Sequence, residues 1–188
     1  MPTFAAVLLA FALHADSIVP MPMTRTPHAD SAVQFPRVEG TNLEGRRFSL
    51  PTDFEGDVNV VLVAFRREQQ ADVDTWLPFL RDAAARHRDL RVYELPTLHS
   101  GYRMVRPFID GGMARGIPER ATREATITLY IDKAPFKAAL AIAAEDHITA
   151  LLVTRDGRVL WRTDGRFTPA TSAALSTLLD SRATATHP

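Results

Sequence analysis

The pattern of hydrophobic and polar residues along the chain predicts strands and helices in turn. Residues 58–65 form an almost unbroken apolar run rich in valine, typical of a strand covered on both faces. Residues 126–132 alternate between aliphatic and other side chains, which predicts a second strand. Between them, residues 72–88 carry one apolar stripe and predict a helix that Asp72 caps and Pro78 kinks. The stripe consists of Val73, Trp76, Leu77, Leu80 and Ala84.

Turn and capping signals predict the remaining elements. They are a hairpin over 37–50 around Glu44-Gly45, a strand over 90–95, a helix with the stripe Tyr102, Val105 and Ile109 that Gly111-Gly112 closes, a helix over 133–142, a hairpin over 148–163 around Asp156-Gly157, and a last helix beginning at Thr168-Pro169. Parallel crossovers come first, and an antiparallel hairpin with a closing helix comes last. This order predicts an α/β fold with a central mixed sheet and helices on both faces.

The chain divides into one domain and two flanking segments. We expect a folded domain over residues 35–181, a frayed tail over 182–188 and an N-terminal extension over 1–34. In that extension, the apolar run 4–13 has the length of a signal-peptide core and is too short to span a membrane. No basic residue precedes the run, so a disordered extension is the alternative. The first interpretation predicts export, and the second favours the cytoplasm.

The amino-acid composition excludes several classes of function. The 22 basic and 22 acidic residues balance, so no general attraction to nucleic acid is expected. The chain has no cysteine, which excludes disulfides, thiolate nucleophiles and cysteine-ligated metals. Its six histidines follow no zinc-binding pattern, and the sequence has no phosphate-binding glycine motif. We therefore expect no metal and no cofactor.

Two segments resemble the thioredoxin and peroxiredoxin superfamily. In that superfamily a buried strand ending in Phe leads to the active cysteines at the start of a helix that a proline kinks. Here the strand ends at Phe65, Pro78 stands at the kink, and Gln70 and Val73 occupy the two cysteine positions. Residues 148–165 resemble the C-terminal hairpin of the superfamily. The resemblance implies a thioredoxin-like, peroxiredoxin-like sheet, and the missing thiols exclude disulfide exchange and thiol peroxidase activity.

Among cysteine-free members, the chain looks most like the mitochondrial ATP synthase assembly factor family and its bacterial relatives. The residues that carry this resemblance are Phe65, Gln69-Gln70, Trp76, Pro78-Phe79, and the segments 103–118 and 126–132. No catalytic motif comes with that family. Its mitochondrial members are chaperones for a membrane subunit of the synthase. The resemblance therefore implies a protein partner, with a membrane complex as the client.

The first candidate site is the loop after the buried strand, with Arg66, Arg67, Gln69 and Gln70. Ligands of α/β folds bind at such strand ends, and helix N-termini attract anions. Arginines add bidentate contacts to carboxylates or phosphates. The alternative is a solvated loop whose glutamines cap the helix.

The second candidate site contains Tyr102 and Arg106, in an insertion that carries five arginines. They are Arg103, Arg106, Arg115, Arg120 and Arg123. These arginines could form a basic patch for an acidic partner or a lipid phosphate. The alternative, which we favour, is an amphipathic helix with a charged outer face.

Two hypotheses of function follow. The preferred one is a redox-inactive binding or assembly factor for a protein partner, with no catalytic residue. The other is an enzyme with non-thiol chemistry on a small anion held by Arg66, Arg67 and Arg106. That enzyme would need a general base, and no recognisable motif supplies one.

Overall fold

The computed structural model describes residues 33–186, with side chains described as far as residue 182. The predicted signal-like run 4–13 and all of residues 1–32 lie outside the described residues, as do the last two residues. Twelve strands and α-helices follow one another in this part of the chain: β1 Val38–Asn42, β2 Arg47–Leu50, β3 Val58–Ala64, α1 Gln70–Arg86, β4 Leu90–His99, α2 Arg106–Gly116, α3 Arg120–Ala125, β5 Ile127–Ile131, α4 Lys133–Ala139, β6 Thr149–Thr154, β7 Val159–Asp164 and α5 Pro169–Thr186.

The strands form one mixed sheet of seven strands in the order β2-β1-β5-β4-β3-β6-β7. The central strands β3, β4 and β5 are parallel, and both outer pairs are antiparallel hairpins. This confirms the predicted mixed sheet and the N-terminal hairpin. Because β3 and β4 run in the same direction, the segments that follow them leave from the same edge of the sheet.

Two hydrophobic clusters cover the two faces of the sheet. On one face, Phe35 packs edge to face against Phe54 and Phe136, with ring centroids 5.5 and 5.9 Å apart. On the other face, Trp76 of α1 is fully buried with Leu175 of α5. The indole Nε1 of Trp76 also donates a hydrogen bond to the carbonyl oxygen of Gly165 at 3.1 Å. These contacts confirm that the predicted stripe of α1 faces the core.

The start of α1 differs from the prediction. The helix begins at Gln70, after a 3-10 turn over Arg67–Gln69, and Asp72 lies in its first turn instead of capping it. The Asp72 carboxylate lies 3.4 Å from the Arg166 guanidinium. Helical geometry begins early because a glutamine side chain satisfies the backbone of the loop, as described below.

Other boundaries also depart from the sequence prediction, and helix α4 ends at Ala139 instead of residue 142. Strand β4 continues to His99, beyond Leu95 where the prediction stopped, because its last residues pair with β5. Helix α2 passes through Gly111 and Gly112, neither of which has the positive φ of a helix-terminating glycine. Helix α3 was not predicted at all. Helix α5 extends to Thr186, beyond the predicted end of the domain at residue 181.

Candidate functional site

A buried glutamine organises the segment that follows β3, residues 65–70, which we call the β3–α1 loop. Gln69 is 4% exposed. Its Oε1 accepts hydrogen bonds from the backbone N–H groups of Phe65 and Arg66 at 2.8 and 3.1 Å. Its Nε2 donates to the carbonyl oxygen of Glu145 at 2.8 Å. The amide is thus used inside the protein, and it fixes the path of the loop.

Charged residues from α4 and the segment after it support the β3–α1 loop from the side. The Glu145 carboxylate accepts hydrogen bonds from Lys133 and Lys137 at 2.6 and 3.0 Å. Burial alone would raise the pKa of Glu145, but the two ammonium groups hold that pKa below its usual value. The Lys133 ammonium also lies 5.7 Å from the centroid of the Phe65 ring. Both ends of the loop are therefore anchored.

Three of the four predicted residues in this loop face outwards. The Arg66 side chain is 56% exposed, with one nitrogen 3.5 Å from the Asp146 carboxylate. Arg67 is exposed, and the exposed Gln70 donates a hydrogen bond from Nε2 to the Asp74 carboxylate at 3.0 Å. The loop thus presents polar groups for contact, whereas Gln69 positions them.

The positions of the two missing thiols carry no reactive group. Gln70 is the first residue of α1, and Val73 of the same helix is buried in the hydrophobic core of the protein. Thr149, the first residue of β6, is buried and donates from Oγ1 to the Asp164 carboxylate at 2.7 Å. The side chains at these positions are an amide, an aliphatic group and a hydroxyl that is already hydrogen-bonded.

A buried carboxyl group lies beneath the loop, and the sequence analysis missed it. Glu94 of β4 is 7% exposed. Burial raises the pKa of Glu94, while the Gln70 side chain lowers that pKa and the Asp74 charge raises it further. An acidic residue inside the predicted strand over 90–95 was the available signal.

Most polar side chains of the second candidate site make hydrogen bonds or ion pairs within the protein. Nε of Arg106 lies 3.0 Å from the Asp110 carboxylate, whose other oxygen accepts a hydrogen bond from the Tyr130 hydroxyl at 2.8 Å. Arg103 donates to the carbonyl oxygen of Tyr130 at 2.9 Å. Tyr102 is 54% exposed. Within residues 33–186, no hydrogen bond or ion pair joins this group to the β3–α1 loop.

The outer surface at the start of this insertion carries large apolar side chains, where we expected a charged face. Met104 is 91% exposed and Phe108 is 78% exposed. Tyr102 and Val105, which the sequence placed on a buried stripe, are about half exposed at 54% and 49%. The 3-10 turn over Ser100–Val105 has three residues per turn, so the stripe predicted for an α-helix loses its alignment.

Solved structures with the same arrangement were found, although no protein-family model and no curated protein matches the sequence. The exposed lipoprotein thioredoxin Etrx1 of Streptococcus pneumoniae strain TIGR4 matches with a TM-score of 0.51 at 13% identity, covering 78% of this chain and 99% of Etrx1. The chain has a thioredoxin-like fold. BsSco, a member of the Sco family of cytochrome c oxidase assembly proteins, matches with a TM-score of 0.55 at 14% identity, covering 82% of this chain and 95% of BsSco. A protein from Aquifex aeolicus VF5 matches with a TM-score of 0.56 at 8% identity, covering 79% of this chain and 96% of that protein.

These structural matches show the fold, and at such low identities the function has to be argued from the site. The resemblance to the ATP synthase assembly factor family stays a prediction.

Proposed function

We propose that this thioredoxin-like protein is a non-catalytic binding or assembly factor that recognises a protein partner through the β3–α1 loop. One observation carries the proposal. Arg66, Arg67 and Gln70 are exposed on a loop that the buried Gln69 amide holds in one conformation.

A fixed loop favours specific binding. Because Gln69 already orders the backbone, little conformational entropy is lost when a partner binds. The two arginines can donate paired hydrogen bonds to carboxylates, and the adjacent N-terminus of α1 favours negative charge. We therefore expect the partner to present an acidic segment to this loop.

The observed pairings favour binding over the enzyme alternative. That alternative required Arg66, Arg67 and Arg106 to hold one small anion together. The Arg106 guanidinium is instead paired with Asp110. An amide at residue 70 is neither a nucleophile nor a base near neutral pH. Thiol chemistry is impossible without cysteine.

The direct test is co-purification from the native host after mild cross-linking, using the full chain with a C-terminal tag. Mass spectrometry should identify one stoichiometric partner. We expect recovery of that partner to fall about tenfold or more in the Arg66→Ala/Gln70→Ala variant, because arginine contacts at the centre of an interface dominate affinity. A membrane subunit of the ATP synthase as the partner would support the resemblance to the assembly factor family.

Arg86→Ala is the matched control, since Arg86 is an exposed arginine at the opposite end of the same helix. It should leave recovery unchanged. Equal recovery with both variants, or no partner above background, would contradict the proposal.

A further inference from the structure

The exposed apolar face of the segment after β4 carries an inference that is independent of the proposed function. Five large hydrophobic residues are exposed in the described part of the chain, and four of them fall within residues 102–108. We call these four the α2 face. Tyr102, Met104 and Val105 lie in the 3-10 turn before α2, and Phe108 lies in the first turn of α2. Scattered exposed apolar residues are ordinary, but a contiguous group marks a contact surface.

The α2 face projects from the sheet edge. Ala64, the last residue of β3, pairs with Pro96, and β4 continues to His99. The segment after β4 therefore begins about 10 Å farther along the strand direction than the segment after β3. Met104 and Phe108 are 91% and 78% exposed, so little of this chain flanks their side chains.

The charge around the α2 face is positive. Arg103 and Arg115 are exposed, and in the part of the chain that the structure describes Arg115 has no carboxylate partner. The one carboxylate of the segment, Asp110, has a side chain only 16% exposed and is bound by Arg106. Within residues 100–118, the charged residues classed as exposed are therefore arginines, and they lie beside the apolar side chains.

We propose that the α2 face docks on the surface of an anionic lipid bilayer. Apolar side chains that project without a surrounding wall fit a deformable hydrocarbon boundary, which needs no shaped pocket. Tyr102, apolar in its ring and polar at its hydroxyl, suits the level of the lipid headgroups. The long side chain of Arg115 can reach lipid phosphates while its stem stays in the apolar region, whereas the Arg103 guanidinium donates to the carbonyl oxygen of Tyr130 and adds positive charge nearby.

Docking through this face is peripheral and reversible. No helix within residues 33–186 is long and apolar enough to cross a membrane. A single apolar patch with a few basic residues gives weak binding that salt screens. Binding should therefore need anionic lipid and fall as ionic strength rises.

Vesicle co-sedimentation of the full chain tests the proposal, with phosphatidylcholine and phosphatidylglycerol in about a 7:3 ratio. We expect wild-type protein to bind these vesicles at low salt and to leave pure phosphatidylcholine vesicles largely unbound. The Met104→Ser/Phe108→Ser variant should lower the partition coefficient about tenfold or more, because it removes both projecting side chains. Arg115→Gln should lower it about fivefold.

Val33→Ser is the matched control, because Val33 is the other large exposed hydrophobic residue, at 39% exposure. It should leave binding unchanged. Thermal unfolding of each variant verifies that it is folded. Two results would overturn the proposal: no binding of wild-type protein to anionic vesicles at low salt, or equal binding of wild-type protein and the double variant. The second result would assign the lipid contact to another segment, such as residues 4–13.

Discussion

The segments that follow β3 and β4 leave neighbouring parallel strands at the same sheet edge, yet they are built in opposite ways. Each passes through a 3-10 turn into a helix. In the β3–α1 loop, the buried Gln69 amide closes the backbone and leaves polar groups outside. In the segment after β4, Arg106 and Tyr130 both bind the Asp110 carboxylate, and Met104 and Phe108 of the α2 face project outside.

This difference separates two kinds of recognition. A loop held by a buried amide can present donors in fixed directions, which suits a specific partner. A projecting apolar surface has little directional specificity, which suits attachment to a lipid surface. If both proposals hold, the same sheet edge offers two independent contacts, and we expect that each can be removed without the other.

The largest effect should come from the residue that holds the β3–α1 loop. Gln69→Ala leaves the backbone N–H of Phe65 buried without a partner and removes two further hydrogen bonds. We expect this variant to lose about 2–4 kcal/mol of unfolding free energy in denaturant titrations. Arg67→Ala, at an exposed neighbour in the same loop, should change stability by less than about 0.5 kcal/mol. Similar losses in the two variants would contradict the assigned roles.

A smaller effect, of opposite sign, is expected beneath the loop at Glu94. Burial raises the pKa of Glu94 in the folded state, so the folded protein holds this proton more tightly than the unfolded chain. Wild-type stability should then fall as the pH rises from the ordinary value for glutamate through the raised pKa of Glu94. Glu94→Gln, which cannot ionise, should be more stable than wild type at neutral pH by on the order of 1 kcal/mol.

The pH dependence separates this explanation from a simple packing effect. The stability difference between Glu94→Gln and wild type should shrink below about pH 4, where the glutamate is protonated in both states. Denaturant titrations at several pH values measure it. A difference that is constant with pH would show that ionisation of Glu94 is not its cause.

The smallest effect on stability should come from the α2 face. Met104 and Phe108 are exposed, so Met104→Ser/Phe108→Ser removes little buried area. We expect a change within about 0.5 kcal/mol in the free energy of unfolding. A loss of several kcal/mol would mean that these side chains pack against the protein in solution, and the α2 face would then be part of its core.

Hydrophobic patterns and turn residues correctly predicted the strands, helices and hairpins whose formation depends on neighbouring residues in the sequence. The valine-rich β3 and the buried stripe of α1 follow from periodicity, and the Asp156-Gly157 hairpin follows from turn residues. The helix start at Gln70 was missed because it depends on Gln69, whose amide reaches backbone groups on both sides of the loop. Such a contact has no sequence period.

The candidate residues were predicted less well than the fold. Sequence reasoning treated Gln69 and Arg106 as contact residues, but their side chains are used in internal hydrogen bonds or ion pairs. It also expected a charged outer surface on the insertion and found neither the α2 face nor Glu94. The Arg106–Asp110 pair is an i,i+4 contact that the spacing could have indicated, whereas the hydrogen bond from Tyr130 to Asp110 joins residues that only the tertiary fold brings together.

The most direct test of the account compares the two surfaces in one experiment. Partner recovery and binding to anionic vesicles are measured in parallel for Arg66→Ala/Gln70→Ala and for Met104→Ser/Phe108→Ser. We expect the first variant to lose the partner and keep most of its vesicle binding, and the second to lose vesicle binding and keep the partner. If each variant lost both activities equally while remaining folded, the two surfaces would form one site, and the division proposed for this sheet edge would be wrong.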